Sequence, residues 1–336
     1  MSEIEGITIQ NLLDAMLEVD RPMDPRYLYR LSDLDPADLA ALQNTWLNVP
    51  SWRRQAIMED IEEIGLKDFV LSFEAFARYG LTDSEPRVRE LAVRTLWEYE
   101  APDLVPIFVR MMESDSDVGV RAVAATALGH YIYLGEIDEL PASTLHQLED
   151  KLLQVTSGKD SSLVRRRALE ALGFSDREEV PALIKAAYNS GKNDWLSSAL
   201  FAMGRSVNRA WNKAVISKLD SDVPGVLSEA ARAAGELEIK EAVPRLMQLV
   251  EDGDSDVRWA AIWALSQIGG EGVRERLEKL YKQTDDDEEA DFIESALDNL
   301  DFTEDTSLFD LLDIEEDELD DEFYFDLRED EEDDKD

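Results

Sequence analysis

One helical pattern recurs along the chain and restricts its fold more than any other feature. Each copy has an apolar residue, often Arg next, Ala at +4, Ala or Thr at +7, an apolar residue at +8 and often Gly at +9. The first clear copy is Val88, Arg89, Ala92, Thr95 and Leu96. The second is Val120, Arg121, Ala124, Ala127, Leu128 and Gly129, and further copies start at Val164, Trp195, Val226 and Val257. Successive starts are 32, 44, 31, 31 and 31 residues apart. Positions 0, +4, +7 and +8 share one face of an α-helix. The Ala positions let a neighbouring helix approach closely, and Gly at +9 suggests a left-handed C-cap. A second amphipathic helix follows each first one, often with Pro near its start, as in Val105-Pro106, Val180-Pro181 and Val243-Pro244. Pro is tolerated there because a first-turn N–H has no intrahelical partner. Asp115-Ser116-Asp117 and Asp254-Ser255-Asp256 fit N-caps. Units this small bury their apolar faces only by stacking. The expected fold is therefore all-α: an α-solenoid of two-helix repeats.

The expected organisation follows. Residues 1–50 form capping helices, 51–83 a degenerate repeat, and 84–284 the regular repeats with an insertion near 130–141. In the degenerate unit, Trp52-Arg53 and Ala56 pair with a second helix from Phe69 to Tyr79. Residues 285–302, with Glu289, Ile293, Ala296 and Leu297, form a C-terminal capping helix.

The Val-Arg-x-x-Ala-x-x-Ala-Leu-Gly pattern with its Pro-bearing partner helix resembles the short bacterial HEAT repeats first associated with phycobilisome lyases. The resemblance covers roughly residues 50–300 and is specific for fold, not for function. It implies that the Val-Arg helix lines a concave face and that its Arg pairs with a preceding Asp. Arg89, Arg121, Arg165 and Arg258 fit that pattern, whereas Leu196 and Leu227 depart from it. Deoxyhypusine hydroxylases of similar fold use repeated His-Glu pairs to hold iron. This chain offers only His130 and His146, followed by Tyr131 and Gln147. Bilin lyases find no specific supporting motif here.

Other chemistry is equally sparse. Ser190-Gly191-Lys192-Asn193 lacks the first glycine and the Ser/Thr of a phosphate loop. Asp252 to Asp256 resembles the start of a calcium loop, but Val257 stands where the glycine is needed. Ile268 to Gly272 has the glycines of a turn and no preceding strand. The expectation is no catalytic residue, no cofactor and no metal. Cysteine is absent, which removes thiolate chemistry and disulfides and suits a reducing cytoplasm. The first twenty residues do not look like a signal peptide, and no apolar run is long enough to span a membrane.

Asp and Glu number 76 against 34 Lys and Arg, a net charge of −42. That balance disfavours nucleic acid and anionic membranes and makes a partner with basic patches the natural target. On a concave face the +2, +3 and +6 positions point into the groove. The candidates there are Arg94, Arg166, Arg167, Glu170, Phe201, Arg232, Trp259 and Trp263. Aromatic residues beside Arg are favoured hot-spot materials. The competing readings are inter-repeat packing for Trp259 and Trp263, and ordinary solvation for Arg166 and Arg167. Trp46, Trp52, Trp97, Trp195 and Trp211 are expected in the core.

Residues 303–336 hold 19 acidic and 2 basic residues, which argues for a disordered tail. Leu308, Phe309, Leu312, Phe323, Tyr324 and Phe325 interrupt it and suit docking upon a groove; a solvated tail is the alternative. The expected function is a cytoplasmic, non-catalytic protein-binding scaffold. The alternatives are an acidic chaperone-like shield for basic clients and, behind it, a lyase- or hydroxylase-type enzyme. Oligomeric state stays open.

Overall fold

In the computed structural model, the structure describes residues 6–97 and 99–302. The chain divides into two compact units, residues 1–189 and 190–336. Every regular element among the described residues is a helix. The tail from 303 onward, with its six candidate docking residues, lies outside the described residues.

The first unit opens with α1 (Ile9–Leu17) and α2 (Pro36–Trp46), with a 3₁₀ segment, Pro25–Leu31, between them. Repeating pairs follow: α3 (Ser51–Lys67) with α4 (Glu74–Gly80), and α5 (Pro86–Leu96) with α6 (Val105–Ser114). Next come α7 (Val118–Glu136) with α8 (Ala142–Ser157), and α9 (Ser162–Ala171) with α10 (Val180–Tyr188). We call the first helix of each pair A and the second B. The A helices α3, α5, α7 and α9 pack side by side in chain order, and α4, α6 and α8 each lie against the next A helix.

The second unit repeats the scheme. Its A helices are α11 (Asn193–Arg205), α13 (Pro224–Glu236) and α15 (Ser255–Ile268). Its B helices are α12 (Asn212–Ile216), α14 (Val243–Leu249) and α16 (Val273–Tyr281), and residues 287–302 form a last helix, α17.

The repeated apolar face makes the core. Val88, Ala92, Leu96, Val120, Ala124, Leu128, Val164 and Ala168 are all fully buried in the first unit. In the second, Ala199, Met203, Ala230, Ala234, Val257, Ala261 and Leu265 are buried likewise. Burial of each Val or Leu stabilises by about 1.5–3 kcal/mol, and stacking is the only way a helix pair obtains it. Asp117 caps α7 by accepting from the amides of Gly119 and Val120, at 2.7 and 3.1 Å. Asp254 caps α15 in the same way. Pro106, Pro181 and Pro244 all stand in the first turn of their B helices.

Four local expectations need revision. Gly129, Gly204 and Gly235 do not end their helices; they lie inside α7, α11 and α13 at ordinary helical φ. Each faces the +7 Ala of the next A helix, so the missing Cβ serves close packing. A Cβ on Gly129 would stand 3.1 Å from Ala171 Cα, and one on Gly204 3.1 Å from Ala233 Cα. The residues after Gly129 continue α7 for two further turns, to Glu136. In the degenerate unit the register is one residue later than the sequence suggests: Arg53, Ile57 and Ile61 are buried, whereas Trp52 is 55% exposed. Finally, the B helix of that unit starts at Glu74, and Phe69 to Phe73 belong to the connecting loop.

Candidate functional site

The arginine at +1 of the A helices is structural. Arg89 donates to both carboxylate oxygens of Asp115, at 2.6 and 2.8 Å, and to the carbonyl of Asp83. Arg121 does the same with Asp160, at 2.9 and 3.0 Å, and the carbonyl of Asp115. Arg258 pairs with Glu289 at 3.2 Å and donates to the carbonyl of Asp252. The carboxylate partner therefore comes from the turn that follows, while the preceding turn contributes only a carbonyl. The expected pairing with a preceding Asp is thus reversed, because the Arg side chain bridges two successive turns. Burial pushes the Asp115 carboxyl up, but the Arg89 hydrogen bonds and the Asp117 amide outweigh it and hold it below its ordinary value. Asp160 is lowered chiefly by its Arg121 hydrogen bonds.

Arg54 joins this series at the N-terminal end. It pairs with Asp83 at 3.1 Å and donates to the Val49 carbonyl at 2.7 Å. Trp46 Nε1 donates to the same carboxylate at 2.6 Å, and its ring meets the edge of Phe76. Arg53 instead turns to the carbonyls of Ala15 and Arg21, fastening α1 to α3.

With the +1 column absorbed, the remaining candidates sit as follows. In the first unit Arg94 is exposed and pairs with Glu62 on α3 at 2.6 Å. Arg167 pairs with Glu170 on its own helix at 2.5 Å, and Glu170 is buried. Arg166 is half-buried. In the second unit Phe201 lies under the Arg205 guanidinium, 5.0 Å from ring centroid to Cζ. Arg205 reaches Glu236 on the next A helix at 3.3 Å. Burial raises the Glu236 carboxyl above its ordinary value, opposed by Arg205 and Arg232. Arg232 is exposed on α13. Trp263 is half-buried, with one ring carbon 2.7 Å from where a Cβ on Gly235 would stand. Trp259 stacks on Phe292 of α17, with centroids 5.2 Å apart and planes at 19°. Phe201, Arg205, Arg232, Glu236 and Trp263 thus line adjacent A helices of one unit, while Trp259 is engaged between α15 and α17.

Among the described residues, no group of three or more His, Asp or Glu side chains is placed to hold a metal ion. Nor is any helix there long and apolar enough to cross a membrane. Tyr131 is buried, its phenol pushed up to about 12 by burial, but its hydroxyl is fixed on the Tyr99 and Ala101 carbonyls. It is a packing group.

The sequence reading missed one feature of the first unit. A cavity of about 360 Å³ opens between the end of α3, the loop after it and the end of α5, and Arg94 lies on its wall. The signal was available: Phe69, Val70 and Leu71 form an apolar run just after the charged pair Lys67-Asp68.

Paired helices stacked A upon A define a helical-repeat protein. The family of HEAT repeats matches residues 75–144 and 212–297, so these two stretches are HEAT repeats. No curated protein matches the sequence. Among solved structures, human deoxyhypusine hydroxylase in complex with glycerol is 17% identical, with 80% of this chain and 96% of that one covered and a TM-score of 0.35. The complex of CpcE and CpcF of phycocyanin lyase from Nostoc sp. is 20% identical, covering 68% and 94%, with a TM-score of 0.45. YibA of E. coli is 19% identical, covering 84% and 98%, with a TM-score of 0.42. Likenesses this distant bear on neither activity nor partner.

Proposed function

We propose that the chain is a non-catalytic protein-interaction module that receives a partner segment on the A-helix faces of its repeat stacks. The observation that carries this reading is the line Phe201, Arg205, Arg232, Glu236 and Trp263 in the second unit. It places aromatic and guanidinium groups side by side on closely packed A helices. Such groups dominate binding energy at interfaces, and stacked repeats provide extended surfaces on which to present them. The absence of cysteine fits a cytoplasmic setting. Affinity capture with the intact chain and with an Arg232→Ala, Phe201→Ala variant tests the reading. A defined partner retained by the first and lost by the second supports it; an identical set on both contradicts it.

The net charge of −42 favours a second reading, an acidic shield for basic clients. That reading predicts many basic proteins released together as salt is raised, since exposed charges farther apart than a Debye length, about 10 Å at 0.1 M salt, are largely screened. The module reading predicts one partner, retained at higher salt.

A further inference from the structure

The cavity beside Arg94 has the chemistry of a docking site. Leu66, Phe69, Val70 and Trp97 contribute apolar walls, and the Glu62–Arg94 pair closes one side. Its volume, about 360 Å³, lies within the range of ligand pockets. Phe69 and Val70 are 84% and 87% exposed, while Phe73, four residues on, is buried. A folded chain gains nothing from leaving two large apolar side chains in water, and neighbouring exposed apolar groups mark interaction sites.

The loop that carries them is fastened on both sides. Ser72 donates its amide to Ser32 Oγ and accepts from the Asp33 amide, at 3.0 and 2.8 Å. The Phe73 amide donates to the Tyr99 hydroxyl at 3.0 Å. The apolar tip is therefore held in place at the mouth of the cavity.

Charge selects the occupant. Between residues 59 and 74 there are six carboxylates (Glu59, Asp60, Glu62, Glu63, Asp68 and Glu74) against the single cation Lys67; Glu62 lines the cavity, and Glu59 and Glu74 pair with Arg87 and Arg78 from outside that stretch. Lys67 is held by Glu63 at 2.7 Å, and Arg94 by Glu62. Glu59 and Glu63 crowd Asp60 on the same helix, adding to its burial in raising its carboxyl. The local excess of carboxylates favours an incoming cation over an incoming anion. We infer that this cavity docks a partner-protein segment in which a large apolar side chain is flanked by Lys or Arg. The inference shares with the function proposed above only the premise that the ligand is a polypeptide, and it adds a second site in a different unit.

The test is fluorescence anisotropy on the full chain with short labelled peptides that share one apolar anchor and differ in flanks of Lys, Ser or Glu. A peptide of residues 303–336 is included. The Phe69→Ser, Val70→Ser double variant removes exposed groups only, and an unchanged thermal melt certifies its fold. The expected result is saturable binding of the Lys-flanked peptide, weakened by salt and by about tenfold or more in the double variant. Arg232→Ala, in the other unit, is expected to leave this binding unchanged, so failure of either site is read separately. The inference is overturned by absent binding of the Lys-flanked peptide, by equal binding of all flanks, or by indifference to the double variant. Tighter binding of the 303–336 peptide would also overturn it. So would self-association that the double variant abolishes, since a second copy would then be the occupant.

Discussion

Gly235 of α13 and Ala264 of α15 touch so closely that a Cβ on the glycine would stand 2.8 Å from the alanine Cα. The same Cβ would stand 2.7 Å from the Trp263 ring. Gly235→Ala gains about 1 kcal/mol of helix propensity, but overpacking against rigid backbone costs about 1–3 kcal/mol. Backbone does not swing aside as a long side chain does, so the loss prevails. Urea denaturation is expected to show net destabilisation. Gly225 in the same helix has open space where its Cβ would be, so Gly225→Ala is expected to be neutral or to stabilise by up to about 1 kcal/mol.

The arginine ladder makes stability depend on acid. The folded carboxyls of Asp115 and Asp160 lie below their ordinary values. The unfolded chain therefore binds more protons as pH falls below about 4, the usual value for Asp. Their contribution is complete above that pH and is lost as pH falls through the folded values. Urea midpoints across this range are expected to fall less steeply in Asp160→Asn than in the parent, because one linked carboxylate is gone. An unchanged slope would show that Arg121 does not hold Asp160 in solution.

Asp83 answers to both Trp46 and Arg54 in a buried site. Asp83→Ala leaves a buried guanidinium without its carboxylate, a change that costs about 3–5 kcal/mol. Near-ultraviolet circular dichroism is expected to lose part of its tryptophan signal in that variant. The double change Asp83→Ala, Arg54→Met is expected to recover part of the stability, since it removes the stranded charge.

The repeat pattern was legible because helical periodicity places Val120, Ala124 and Leu128 on one face, whatever surrounds them. Asp117 and Asp254 were legible as caps for an equally local reason. Gly235 was misread because a glycine near a helix end suits a C-cap and a close packing contact alike, and only the neighbouring helix decides. Gly269, with φ 63°, is the glycine that does close its helix, α15. Arg54 was passed over for Arg53 because Ala56 stands at +4 from Trp52 and so suggested a register one residue too early. Phe69 and Val70 were taken into a helix because a short apolar run carries no sign of whether it faces core or water. The candidate site was legible as residue types in columns. Which members were engaged, as Trp259 is with Phe292, depends on residues a full repeat away.

The most direct measurement is photo-crosslinking in the native cell from position 232, with a matched probe at exposed Lys213 on α12. The account predicts one defined protein adduct from position 232, absent from position 213 and lost when Phe201→Ala is added. No defined adduct at 232, or the same adducts at both positions, would contradict it.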